Sequence, residues 1–207
     1  MALAHNIVGH AENLFDVVGL SQLPDKSILL IVGLETTPER DLDEFHRIDG
    51  NFHITGYEKH AKPKLESLLN LIRKQNFTAE LIGRYGYPLK GEVELKEAAV
   101  RAGLGRWGKN ILILHPKYGN RLRFIAIKTD APLEFTVNHT DIREKNPTYD
   151  GCSIYIDACP MEILKPYTMP EVKDCLANVS NIRGEDGRLI ACDICLWVCP
   201  ANIDTFE

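Results

Sequence analysis

The stretch ACDICLWVCP, with Cys192, Cys195 and Cys199 followed at once by Pro200, constrains this chain more than any other. Thiolates at such spacing bind a group around which the fold must be built. The pattern C-x2-C-x2-C-x3-C-P belongs to chains holding two [4Fe–4S] clusters, where three thiolates serve one cluster and the fourth crosses to the other. Laid from its Cys-Pro end, this stretch supplies the second, third and fourth positions, and Leu189 stands at the first. Upstream, GCSIYIDACP ends alike at Cys159-Pro160, with Cys152 at the second position, Tyr155 at the third and Tyr149 at the first. Crossing then groups Cys192 and Cys195 with Cys159, and Cys175 is the cysteine left to complete four ligands. The companion site would have only Cys152 and Cys199. It is expected to be empty, its two cysteines plain buried thiols. The pattern is a two-cluster scaffold reduced to one cluster.

Two other chemistries use the same residues. Four cysteines with a C-x2-C pair can hold structural zinc, and six cysteines can form disulfides in a secreted chain. Zinc does not need two Cys-Pro endings, and the opening MALAHNIVGHAENLF lacks the parts of a secretion signal. The expectation is a cytosolic protein that keeps its thiols reduced. A net charge of −5 argues against a general nucleic-acid binder. The longest apolar run, Ile28 to Leu34, is too short to span a bilayer.

Ahead of the cysteines, the chain alternates strand and helix patterns. A short helix and a turn through Leu23-Pro24-Asp25 lead into SILLIVGL, whose unbroken apolar character predicts a central strand covered on both faces. The polar stretch that follows, with His46, His53, Tyr57 and His60, predicts a long loop or short helical turns over a site, with histidines that are solvated or capping. Leu65, Leu68, Leu69 and Ile72 mark one face of a helix over 61–76, with Pro63 in its first turn. TAELIGRY reads as a strand, and VELKEAAVRAGL as a helix ending at Gly103. Strands at 111–114 and 121–128 flank Tyr118-Gly119-Asn120, a hairpin signal. The predicted fold class is α/β, a mixed sheet flanked by helices, over residues 1–135, with a second unit over 136–207.

Between the second helix and the next strand lies Gly103-Leu104-Gly105-Arg106-Trp107-Gly108-Lys109-Asn110. It has the letters of a dinucleotide fingerprint but follows a helix and opens a strand, the reverse of what that motif requires. Three glycines let backbone approach a flat or anionic ligand, and Trp107 and Lys109 add a stacking surface and a cation.

KEAAVRAGLGRWGKN, a strand, a hairpin, then GCSIYIDACP, Cys175 and ACDICLWVCP together resemble the core of epoxyqueuosine reductases, relatives of the corrinoid-dependent reductive dehalogenases. The resemblance runs from about Ser27 to Pro200. It implies an α/β corrinoid-binding module with a C-terminal ferredoxin-like iron–sulfur subdomain, in which clusters reduce cobalamin from Co(II) to Co(I). By resemblance Gly103, Leu104, Gly105, Trp107, Gly108 and Lys109 would lie at the cobalamin, and Cys159, Cys175, Cys192 and Cys195 at the cluster. Three departures bear on function. Tyr149 and Tyr155 replace two ligands of the other cluster. The family's catalytic aspartate falls on Leu89, leaving Tyr85, Tyr87 and Glu92 as candidate proton donors. The chain stops at Glu207, where tRNA-acting members continue into helical repeats, so the expected partner is a small molecule or another redox or corrinoid protein rather than tRNA. The alternative is an iron–sulfur electron carrier, not an enzyme, that no longer binds corrinoid.

Overall fold

The computed structural model describes residues 2–23, 25–44, 46–48, 51–84, 94–134, 151–168 and 194–202. In chain order these form α1 (Ala2–Leu14), β1 (Val17–Gln22), β2 (Ile28–Glu35), β3 (His46–Ile48), β4 (Asn51–His53), a π-helical turn (Tyr57–Ala61), α2 (Lys62–Lys74) and β5 (Ala79–Arg84). They continue with α3 (Leu95–Arg101), β6 (Arg106–Trp107), β7 (Ile113–Leu114), β8 (Leu122–Thr129) and the single-turn helices α4 (Ile154–Asp157) and α5 (Ile194–Trp197).

The apolar strand predicted at the centre is β2, buried through its interior and flanked by β1 and β8 in a sheet of order β1-β2-β8-β5. Strand alternation splits its side chains between two cores. Leu30, Val32 and Leu34 join Ile125 and Ile127 of β8 under α1 and α2, packed on Ile7, Leu65, Leu68 and Ile72. Leu29 and Ile31 join Phe124 and Ala126 on the opposite face, under Ala98, Ala99 and Val100 of α3. Both faces are therefore dry, which is why the strand carries no polar alternation. The face read for the helix over 61–76 is the buried face of α2, with Pro63 in its first turn.

Two expectations are corrected. Every pairing in the four-stranded sheet is antiparallel rather than mixed. β2 and β5 do run the same way, as a strand-helix-strand passage suggests, but β8 enters between them antiparallel to both. Nor do the strands around Tyr118-Gly119-Asn120 form a hairpin ladder. The turn closes with a His115–Gly119 bridge, yet β7 pairs with β6 and β8 pairs inside the sheet. The sheet offers β8 two full-length partners, where β7 offers two residues. β1 was not foreseen, because its short VVGLSQ run lay inside a stretch read as helix and turn.

Candidate functional site

The glycine loop begins as a helix ending. The Gly103 N–H donates to the Val100 carbonyl and the Leu104 N–H to the Ala99 carbonyl, each at 2.9 Å, with Gly103 at φ 75°. That is a Schellman closure of α3, and it buries Leu104 in the core on that face of the sheet. The other two glycines are also required by the chain itself. At Gly105, φ is 137°, and a Cβ would sit 2.6 Å from the Leu114 carbonyl oxygen and 2.7 Å from Ile113 Cγ2. A Cβ at Gly108 would meet Asn110 Oδ1 at 2.8 Å. Both close approaches are to the chain's own β7 and turn, not to open space. What the loop presents outward is Arg106, exposed; Lys109 is half-buried, and Trp107 is half-buried against the core under α3.

Beyond Gly108 the chain makes a tight turn. The Gly108 N–H donates to the Leu112 carbonyl at 2.8 Å and the Ile111 N–H to the Gly108 carbonyl at 2.9 Å. Asn110 Oδ1 accepts the Leu112 N–H at 3.2 Å. Ile111 is held at φ 61°, an uncommon conformation for a β-branched residue. Asn110 is buried, and its Nδ2 has no partner among the described residues.

The two cysteine motifs build matching turns. α4 precedes Cys159-Pro160 and α5 precedes Cys199-Pro200, each closed by an N–H to a carbonyl four residues back, Ala158 to Ile154 and Val198 to Ile194. The two helices pack on each other. Cys152 and Tyr155 of the first turn meet Cys199 of the second around a cavity of about 20 Å³, completed by Lys109, Asn110, Leu114 and Pro200. A volume of that size admits about one water. These are the residues that crossing assigns to the companion site, with Tyr155 where a thiolate would stand. Burial pushes the Cys199 thiol up, against the Ala201 amide and the Asn120 and Asn110 side chains.

The cysteine turns are tied to the sheet side through the same loop. The Tyr155 hydroxyl donates to the Lys109 carbonyl at 2.9 Å, and the Tyr167 N–H donates to that same oxygen at 2.8 Å. Asn120 Nδ2 donates to the Leu196 carbonyl at 3.0 Å.

Of the expected cluster ligands, Cys159 and Cys195 are partly exposed and neither is in a disulfide. Cys175 and Cys192 lie outside the described residues, as do Tyr85, Tyr87, Leu89, Glu92 and Tyr149. Among the described residues no three metal-ligating side chains converge. Sequence reasoning missed Lys96 on α3, where burial, with Arg123 adding, pushes the ammonium down to about 8 while Cys195 and Glu94 oppose the fall. Within KEAAVRAGL it read as an ordinary helix former. Of the loop residues singled out earlier, Tyr57 is buried in the core and His46 Nε2 lies 3.2 Å from Glu44. Burial pushes the His60 imidazole down.

No protein-family model matches the chain. Its sequence is 30% identical over 188 residues to the epoxyqueuosine reductase of Leadbetterella byssophila, covering 86% of this chain and 59% of the relative. The Synechocystis epoxyqueuosine reductase is 29% identical over 194 residues, covering 87% and 64%. Among solved structures, an epoxyqueuosine reductase bound to a tRNA-Tyr epoxyqueuosine-modified stem loop superposes with TM-score 0.67 at 17% identity, over 97% of this chain and 65% of that one. A reductive dehalogenase whose structure suggests a mechanism for B12-dependent dehalogenation gives 0.64 at 15%, over 96% and 32%. The fold is thus the one that epoxyqueuosine reductases and reductive dehalogenases share. The chain is similar in sequence to epoxyqueuosine reductases, and spans about three fifths of the length of these two curated relatives.

The expectation that this chain does not engage tRNA is overturned. It was drawn from the chain's end at Glu207, which says nothing about the surface of the fold, and the curated relatives are epoxyqueuosine reductases, one solved example holding a tRNA stem loop. Among the described residues no helix is long and apolar enough to cross a membrane.

Proposed function

We propose that this chain is a redox protein of reductase type holding one [4Fe–4S] cluster on Cys159, Cys175, Cys192 and Cys195. The observation that carries this reading is the shared cavity of Cys152 and Tyr155 with Cys199. Both Cys-Pro turns contribute to that cavity, which supports the exchange of partners the crossing rule predicts; by the same rule Cys159 would join Cys192 and Cys195. Tyr155 has its hydroxyl committed to the Lys109 carbonyl, so the companion site lacks both a ligand and the room for a second cluster.

A corrinoid is the second proposed cofactor; when bound it would supply a cobalt centre that can be reduced one electron at a time to a low-valent state. The residues offered to it are the side chains of Arg106, Trp107 and Lys109. Support comes from the relatives, since Gly103, Gly105 and Gly108 are each accounted for by internal contacts. That geometry also favours a second reading, an iron–sulfur electron carrier without corrinoid, because the loop needs no ligand to explain it. The substrate class to test first is epoxyqueuosine in tRNA, the one named by the relatives.

The deciding experiment is the iron, sulfide, zinc and cobalt content after anaerobic expression with cobalamin supplied, followed by an epoxyqueuosine-tRNA reduction assay. About four irons per chain with bound cobalamin supports the reductase. The same iron without cobalamin supports the carrier. Zinc in place of iron overturns both.

A further inference from the structure

We infer that Tyr155 is a positioning residue that carries the loading of the cysteine turns to the glycine loop. The inference rests on the cluster reading above and goes beyond it. In the first turn Tyr155 occupies the place that Cys195 holds in the second, so a metal-ligating position has become a buried phenol, only 4% exposed. A thiol is a weak hydrogen-bond donor and a phenol a good one. The replacement therefore exchanges a bond to metal for a bond to the Lys109 carbonyl, made at 2.9 Å.

At that carbonyl the cysteine-rich segment takes hold of the loop's end twice. The Tyr167 N–H reaches it at 2.8 Å from a residue held at φ 54°, so both lone pairs of the oxygen are used. Immediately after it come Asn110, buried, and the tight turn from Gly108 to Leu112 that Asn110 Oδ1 helps to close. Displacing the Lys109 carbonyl therefore displaces the turn that seats β7 against Gly105.

The phenol's own placement depends on α4, four residues long, in which Tyr155 is the one buried side chain. A single helical turn does not persist in water by its own hydrogen bonds. Where ligands are brought together by metal, the binding free energy is also folding free energy. Loading Cys159 orders the turn, the ordered turn holds the phenol, and the phenol holds the loop.

The test compares wild type with Tyr155→Phe, which keeps the ring and removes the hydroxyl. Each full-length protein is loaded with cluster anaerobically and then stripped with chelator, and amide hydrogen exchange is followed over 108–112. Wild type should protect this turn when loaded and lose protection when stripped. Loaded Tyr155→Phe should keep the wild-type iron content yet exchange in the turn roughly three to ten times faster, the loss of one hydrogen bond, with little further change on stripping. An unchanged exchange rate in the loaded variant overturns the inference. So does an equal acceleration in loaded and stripped protein, which marks local packing alone. Wild type that takes up no iron overturns the cluster reading, and this inference with it. Wild type that takes up iron beside an indifferent variant overturns this inference alone.

Discussion

The sheet and the cysteine turns are held by different forces. β2 and β8 are buried on both faces, between α1 and α2 on one side and α3 on the other. Apolar burial at roughly 25 cal/mol per Å² is the force that such a sandwich uses. Among the described residues, the cysteine turns bury Tyr155 and Leu196 and share a small cluster of Leu114, Cys199 and Ala201, of which Leu114 belongs to β7. They leave Ile154 48%, Trp197 45% and Ile194 38% exposed. A segment that buries so little needs ligation or docking to stay folded, and here it has both candidates: thiols at cluster spacing and hydrogen bonds to Lys109 and from Asn120. The contrast sets stability carried by a two-faced core against turns tied down through hydrogen bonds to Lys109 and Asn120.

The sharpest way to break this comparison is at the thiols. Cys159→Ala, Cys175→Ala and chelation should each abolish bound iron and the visible absorption of the cluster, while the far-ultraviolet signal of the sheet and its helices persists. Cys152→Ala should keep the iron, and loss of iron in that variant sinks the crossing assignment.

On the sheet side, Leu30→Ala removes a fully buried side chain at the centre of β2 and should cost about 2–5 kcal/mol in denaturant unfolding. Iron per folded chain should not change. A comparable loss of iron would mean that the two regions fold as one.

Gly105→Ala tests where the loop belongs. Its φ of 137° and the 2.6 Å approach to the Leu114 oxygen predict a loss of about 1–3 kcal/mol, read as a lower melting temperature with or without cobalamin. If melting stays put and only cobalamin binding disappears, the glycine serves the ligand and not the fold.

The smallest effect is expected at Asp25. Its carboxyl is held below its ordinary 3.8 by the Ser27 hydroxyl, the Lys128 ammonium and the Ser27 amide. A depressed carboxylate contributes stability that is present above its ordinary value and lost as pH falls below it. Melting temperature between pH 5 and 3 should therefore fall more steeply in wild type than in Asp25→Asn. The group is fully exposed, so equal slopes would show that solvent screens the pair completely.

Much of this was legible beforehand, for local reasons. The run SILLIVGL announced a strand dry on both faces, the spacing of Leu65, Leu68, Leu69 and Ile72 announced the buried face of α2, and Gly103 announced the end of α3. The expected exchange of partners between Cys-Pro turns was read from ligand spacing; that Cys152, Tyr155 and Cys199 line one cavity was not. The glycines of the loop were legible as glycines, but the close approach of Gly105 to Leu114 was not, because it involves a residue nine positions away whose strand had been assigned to another partner. Lys96 carried no sequence signal, since nothing in a helix-forming run distinguishes a half-buried lysine from a solvated one.

The amino-acid sequence alone determined that β2 is apolar throughout, which face of α2 is buried and where α3 ends, because period and spacing are properties of neighbours along the chain. The tertiary structure decided that β8 runs between β2 and β5, that Gly105 is reserved for Leu114, and that the Lys109 carbonyl is claimed by Tyr155 and Tyr167. Each of these is a contact between residues the chain keeps apart, settled by which partner buries the most surface or satisfies the most hydrogen bonds.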